Sequence, residues 1–567
     1  MRIVDHYILK ISTAFEKKLI RLKVDGLPLI DSIMRRMQMR QIISEYIPDS
    51  KRGAIPVVDT LLLLVINMVI ARDPLYELQQ WVDSLDLRCL GYDKRPDAKF
   101  SDDRFGRALD KLFQVNRASL MTSIVVSAVR TFGLDLSRIH NDCTSVKAFG
   151  KMEGKTSSGF ELHHGHSKDH RPDLKQLVFC LSICEDGAVP VHHKVYPGNT
   201  NDASTHIETW NTLRLIHGRS DFIYVGDSKL CGQPQLDYIT DNHGRAITIV
   251  PSNWLEVERF KNMLRAGPIK KKLIWRKPKP NDESKTEYYS LYEGHAITQL
   301  LDKYSLWWFV SSEKRKRDRY SREDRLRKAK ASLIELSVKI NRGKLKKKGD
   351  IETAALEILK KRHVQHLMGI TVKKHMERKQ VLRRGRIGNK FQYKRTCRVY
   401  YSLHWEQDRD ALRQETRVDG LFPLLSTDPT IHPRDVLKIY KYQPRLEKRF
   451  SQFKSIHQAA PLLFKRIDRI EANMFVFFLS LMVQAIIERM VRQQIKERKL
   501  KPLKLYPEER DAPHPTTSQI LKTFDGLCTY KITQEDSTIE EYQDQLDYTH
   551  RQVLELMDIE EEEYWKI

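Results

Sequence analysis

The sequence predicts a mixed α/β (α+β) protein: a helical N-terminal domain, then a sheet-forming core that a large basic insertion interrupts. Three observations predict it. Apolar residues recur at helical spacing through about the first 130 positions, strand-like runs replace them from about residue 138, and a Lys/Arg-rich stretch between roughly 251 and 430 delays the last apolar helix. At 567 residues the chain is too long for one compact core. The expected divisions are a helical domain at 1–130, the first part of the core at 131–250, the insertion at 251–430, the final core helices at 431–500, and a tail or dimerisation segment at 501–567.

In the helical part, DTLLLLVINMVIA and PLYELQQWVDSL precede SDDRFGRALDKLF. Ser101 suits an N-cap, with acids in the first turn. Phe105, Ala108, Leu109 and Leu112 fall on one face of that helix, and Arg104, Arg107 and Lys111 on another. Such a face fits a DNA groove or is an ordinary solvated surface. From 138 onward RIHNDCTSV, LKQLVFCLSIC and GAVPVHHKV read as three strands, the second apolar on both faces and therefore central. A helix bearing Ile207, Trp210, Leu213 and Ile216 then ends at the C-cap Gly218. DFIYVGDS and AITIVP follow as strands four and five. Three meandering strands, then helix–strand–helix–strand, is the succession of a ribonuclease-H-like core.

Within the insertion, IKKKLIWRKPKP and TEYYSLYEGH alternate like hairpin strands, and REDRLRKAKASLIELSVKI has amphipathic helical spacing. RGKLKKKGD reads as a basic turn, and RVYYSLHW and TRVDGLFPLLST as strands. Pro433 is expected to open one long helix through Lys454. The apolar run from Met474 to Ile487 is shorter than the roughly 20 residues a membrane span needs. Glu471 and Glu488 flank it, so it reads as a buried core helix and no membrane is expected.

The net charge of +25 and pI near 9.5, clustered rather than spread, imply a polyanionic partner, most simply nucleic acid. Seven scattered cysteines without a CxxC pair argue against a disulfide framework and fit a reducing cytoplasm. The charged start of MRIVDHYILK is no secretory signal, and no phosphate-binding Gly-x4-Gly-Lys loop appears. His163, His164, His166 and His170, with Cys180 and Cys184, match no standard zinc spacing.

Three acids occupy elements from which a nuclease could hold metal: Asp142 inside the first strand, Asp227 closing the fourth, and Glu447 on the late helix. Such a trio can hold two Mg²⁺ ions, with Mn²⁺ as substitute, and activate water against a phosphodiester. Tyr440, Glu447 and Lys454 are seven apart, and Gln443 shares their stripe, a surface suited to a cleaved DNA end or to ordinary surface ion pairs. Lys168, Arg171 and Lys175 in GHSKDHRPDLKQ either touch DNA or decorate a loop.

With these motifs the chain resembles the insertion-sequence transposases of the IS4 superfamily, in particular the IS1634-like group. The resemblance is carried by Asp142-Cys143-Thr144-Ser145, the stretch from Gly165 to Phe179, YVGDS ending at Ser228, and the pattern Tyr-x2-Arg-x3-Glu-x6-Lys at Tyr440, Glu447 and Lys454. It spans about residues 20 to 500. Gln443 stands where that pattern has Arg, and Arg445 or Arg449 is the nearest substitute cation. The resemblance implies a DDE mechanism in which Asp142, Asp227 and Glu447 hold the ions, without a covalent protein–DNA intermediate. It also implies a homodimer acting on double-stranded DNA, both terminal inverted repeats and target, beside a prokaryotic nucleoid. An insertion-domain aromatic, Trp254 or Trp275, would stack on a flipped base or serve packing. Two other readings stay open: a catalytically silent DNA-binding relative, and a structure-selective nuclease. The acidic end IEEEEYWKI adds the expectation that the tail restrains DNA binding.

Overall fold

The computed structural model describes residues 18–48, 55–92, 98–147, 155–156, 160–164, 174–200, 202–279, 282–293, 303–382, 393–459, 466–506, 508, 510–533 and 539–566. The chain divides into two compact units, Met1–Thr248 with Lys438–Ile567, and Ile249–Leu437.

The first unit opens with strand β1 (Lys18–Lys23) and helices α1 (Leu27–Arg36), α2 (Met39–Tyr46), α3 (Val57–Val69), α4 (Leu78–Asp83), α5 (Asp102–Gln114) and α6 (Arg117–Phe132). The Ser101 hydroxyl accepts the Arg104 backbone N–H and starts α5, which buries Phe105, Ala108, Leu109 and Leu112. The sheet follows: β2 (Arg138–Lys147), β3 (Gln176–Cys184), β4 (Pro190–Pro197), helix α7 (His206–His217), β5 (Ile223–Gly226), helix α8 (Gln233–Asp241) and β6 (Arg245–Ile249). In space the order is β4-β3-β2-β5-β6. β3 is antiparallel to both neighbours, whereas β5 is parallel to β2 and to β6. This is the ribonuclease-H-like mixed sheet. Every residue of β3 is buried, which is why its sequence is apolar on both faces.

The second unit contains α9 (Leu255–Ala266), β7 (Lys271–Lys279), β8 (Asp282–Tyr292), β9 (Ser305–Ser311), α10 (Ser312–Lys339), α11 (Lys348–Lys361), β10 (Met368–Leu382), β11 (Tyr393–Gln407), α12 (Arg409–Val418) and β12 (Leu421–Ser426). Its strands β12-β9-β8-β7 pair antiparallel. A separate core joins α10 and α11 to the base of the β10–β11 ribbon through Leu333, Ile351, Leu359, Val372 and Leu403. Arg322 and Asp419 form a buried bidentate pair at 2.5 and 2.7 Å. The segment TRVDGLFPLLST is not all strand. Asp408 caps α12 by accepting two backbone N–H groups, so Thr416–Val418 complete a helix, and Gly420 at φ 84° turns the chain into β12.

The chain then forms α13 (Pro433–Tyr440), α14 (Pro444–Ala459), α15 (Ile467–Glu497), β13 (Leu503–Lys504), β14 (Asp511–Ala512), α16 (Thr517–Thr523), β15 (Cys528–Thr533), β16 (Ile539–Gln543), α17 (Tyr548–Leu556) and α18 (Glu561–Tyr564). α15 is long and apolar enough to cross a membrane, yet 94% of its most apolar window is buried inside the protein. It packs on α1, α3, α5, α14, α16, α17 and β4, and is therefore a core helix. The tail folds back on the start of the unit: β15 pairs with β1 on one side and β16 on the other.

Two further expectations fail here. The helix expected from Pro433 through Lys454 breaks at 441–443, because Pro444 has no N–H to continue it and disfavours helical geometry at Gln443. The cysteines also include one bonded pair, Cys143–Cys180, set directly opposite each other on β2 and β3. Their 37-residue separation hides the pairing until the register is known.

β4 carries His192 in the core and His193 among the rings of Phe179, Phe475 and Phe478. Burial pushes His192 down to about 4 and His193 also downward. The unfolded chain therefore binds protons that the native state refuses once pH drops below the ordinary histidine value. Stability is expected to fall between about pH 6.5 and 4, each such histidine steepening the loss by up to ~1.4 kcal/mol per pH unit. Urea denaturation across this window checks it, and a flat profile would contradict it.

Candidate active site

Sheet register sets the first two acids side by side. β2 and β5 pair in parallel with His140 opposite Val225, and Asp142 and Asp227 each lie two residues further on. The period-2 alternation of strands puts Asp142, midway along β2, on the face of His140, and Asp227 lies one residue past the end of β5. One Asp142 oxygen accepts the Cys143 N–H at 2.8 Å, and one Asp227 oxygen accepts the Lys229 N–H at 2.9 Å. The Thr248 hydroxyl on β6 donates to the Asp227 carbonyl at 2.6 Å, pinning the turn after β5.

Glu447 is exposed in the first turn of α14, where a helix N-terminus favours negative charge. α14 packs on β2 and β3. Tyr440, at the end of α13, registers all three acids. Burial and then the charges of Asp227, Asp142 and Glu447 push its phenol well above the ordinary tyrosine value, so the hydroxyl stays protonated. Tyr224 is raised similarly, by burial and by charges that include Asp227 and Asp142. Its hydroxyl lies 3.0 Å from His206 Nδ1. Burial lowers the His206 imidazole, and Asp227 partly opposes that shift. Among the described residues, no three His, Cys, Asp or Glu side chains form a group that could hold a metal ion.

Gln443 is a tether. Its amide nitrogen donates to the Asn141 carbonyl at 3.2 Å, which turns its oxygen toward His140 Nδ1 at 3.0 Å. His140, pushed down to about 4 by burial, is neutral and must carry its proton on Nδ1 to make that bond. Gln443 therefore fastens the α13–α14 turn to β2 beside Asp142. Arg449 is no substitute cation. It is buried, paired with Glu488 at 3.0 Å, and donates to the Ala188 and Gly187 carbonyls at 2.9 and 3.0 Å.

Of the other expected positions, Lys454 lies two turns beyond Glu447 on α14, and Lys175 immediately precedes β3. Lys168 and Arg171 lie outside the described residues. Arg104, Arg107 and Lys111 line the outer side of α5, but Arg107 pairs with Asp103 at 2.5 Å and Arg104 donates to the Lys99 carbonyl at 2.9 Å. In the second unit Trp254 is the N-cap residue of α9, and Trp275 stacks on Tyr289 at 5.1 Å. His140, His206 and Tyr224 escaped the sequence reading. Isolated polar residues in apolar stretches give no signal until the strands are paired.

Residues 20–126 match a family model described as Domain of unknown function (DUF4277). No curated protein matches the sequence. Among solved structures, the chain is similar to the cryo-EM structure of a piggyBac transposase synaptic complex with hairpin DNA. Identity is 9% and the TM-score 0.33, covering 88% of this chain and 78% of that one. A likeness this slight carries no argument about function.

Replacing Gln443 with Ala is expected to lower stability by about 1–3 kcal/mol, because the His140 donor is left buried without its partner. Thermal unfolding of the variant reads this. Unchanged stability with weakened DNA binding would instead make Gln443 a DNA contact.

Proposed function

We propose that this protein is a transposase that cuts double-stranded DNA at terminal inverted repeats and joins the freed end to target DNA. The observation that carries the reading is the level placement of Asp142 and Asp227 on adjacent parallel strands, with Glu447 sharing their influence on Tyr440. Asp227 follows the carboxyl end of β5, beside the point where strand order reverses, which is where α/β sheets bind ligands, and Asp142 lies on the neighbouring strand. The resemblance to IS4-superfamily transposases supports the same assignment.

Asp142, Asp227 and Glu447 would hold two Mg²⁺ ions, or Mn²⁺ in their place. Their hard oxygen donors suit such ions, although they form no closed ligand group by themselves. When bound, the ions supply activation of the attacking water or 3′-hydroxyl and stabilisation of the leaving oxygen. The chain's own contribution is positional. Tyr440, kept protonated, can donate a hydrogen bond to a phosphate oxygen, which a phenolate could not. Lys454 extends the same helix with a cation for the DNA backbone. Two copies of the chain would bring the two transposon ends together in the cytoplasm.

Asp142→Asn, Asp227→Asn and Glu447→Gln are each expected to abolish divalent-ion-dependent cleavage while leaving DNA affinity nearly unchanged. The assay is purified protein incubated with genomic DNA flanking its gene, inverted repeats included, with Mg²⁺ or Mn²⁺. Cleavage that survives any one substitution removes that residue from the assignment. Binding without cleavage by the unaltered protein would favour a catalytically silent relative.

A further inference from the structure

We propose that the β10–β11 ribbon of the second unit is a duplex-DNA-binding arm that enters a groove and grips phosphates from both of its faces. The inference rests on reading the protein as a DNA-processing enzyme, and it assigns a substrate-holding surface which that reading does not contain.

The ribbon is long and regular. Its strands pair without a register shift from Met368 opposite Gln407 to Leu382 opposite Tyr393. Among the described residues only its base is anchored: Met368, Val372 and Leu403 are buried in the core formed with α10 and α11. Beyond Val372 and Leu403 none of the described side chains is buried. An isolated two-stranded ribbon is marginal in water and gains little from being this long. Its length therefore calls for a partner.

The exposed part shows what that partner is. Lys373, Lys374, Arg378, Lys379, Arg395 and Arg398 are all exposed there, against the single carboxylate Glu377, which pairs with Lys379 at 2.9 Å. Strand alternation and register divide the cations evenly. Lys373, Lys379 and Arg398 share one face, and Lys374, Arg378 and Arg395 share the other. A flat anionic surface would be met by one face only. A groove with a phosphate row on each side is met by both. The major groove of B-DNA is about 12 Å wide and admits a two-stranded ribbon. Eight residues at ~3.3 Å each extend the exposed part to roughly 26 Å, enough to cross the groove. Met376 and Val399, opposite each other and exposed by 61% and 44%, form a small apolar spot between the cations, suited to thymine methyls or sugars. That spot is far too small for a membrane-inserting face.

The test uses the full chain with all six exposed cations replaced by Gln, and a second variant with all six as Lys. Binding to a mixed-sequence 40-base-pair duplex is followed by fluorescence anisotropy from 50 to 300 mM KCl. Each phosphate contact contributes about 0.9 to the slope of log K against log salt, so the Gln variant should lose up to ~5 in slope and at least ~100-fold in affinity. The all-Lys variant should bind like the unaltered protein, and circular dichroism should show all three equally folded. Unchanged affinity and slope in the folded Gln variant overturn the arm, while Mg²⁺-dependent cleavage by the unaltered protein keeps the transposase reading. If the unaltered protein neither binds nor cuts DNA, the transposase reading fails and the arm with it. Ribbon-dependent binding to anionic phospholipid vesicles, with DNA binding unaffected, overturns the arm in favour of a lipid surface.

Discussion

Burial of α15 on every side is the constraint from which the first unit takes its form. An apolar helix this long cannot face water, so α1, α3 and α5 cover it from the N-terminal region, β4 from the sheet, and α16 and α17 from the tail. The few polar groups on it must then be neutralised where they stand. Glu488 holds Arg449 at 3.0 Å and Arg492 at 3.3 Å, and Arg469 grips Asp110 of α5 through two bonds. An unpaired charge in such a place would cost several kcal/mol, so these pairs fix which neighbour goes where. Phe453 of α14 stacks on Phe179 of β3 and meets Phe477 of α15 edge-on, locking α14 between helix and sheet. The acid on α14 is positioned by a packing problem solved elsewhere.

Two backbone features carry that position to the site. Parallel pairing of β2 with β5 makes Asp142 and Asp227 neighbours. The break before Pro444 lets α13 end with Tyr440 near the acids and α14 restart with Glu447 near its own N-terminus. Gln443, in the break, is spent on holding the turn to β2. A buried neutral imidazole on one side and a strand carbonyl on the other occupy its oxygen and one of its N–H groups.

Much of the sheet was legible because its strands are short apolar runs bounded by turn residues, and their order follows directly from the chain. Asp142 and Asp227 could be singled out for the same reason. Spacing misleads at the late helix: residues seven apart suggest one continuous stripe, which Pro444 interrupts. Strand pairing stayed hidden wherever it joins distant residues, so neither the Cys143–Cys180 bond nor the partnership of His206 with Tyr224 could be read. β10 was missed for another reason. TVKKHMERKQ lacks the apolar alternation that marks a half-buried strand, because past Val372 none of its described side chains is buried and cross-strand pairing maintains it.

The reliance of α1, α3 and α5 on α15 also dictates when this protein can fold. α3 ends at Val69 and α15 begins at Ile467, so its packing partner leaves the ribosome roughly 400 residues later. At synthesis rates of about 5–20 residues per second, the N-terminal helices wait ~20–80 s with their apolar faces uncovered. A nascent chain in that condition is a client for chaperones, and output of finished protein then depends on how many of them are idle.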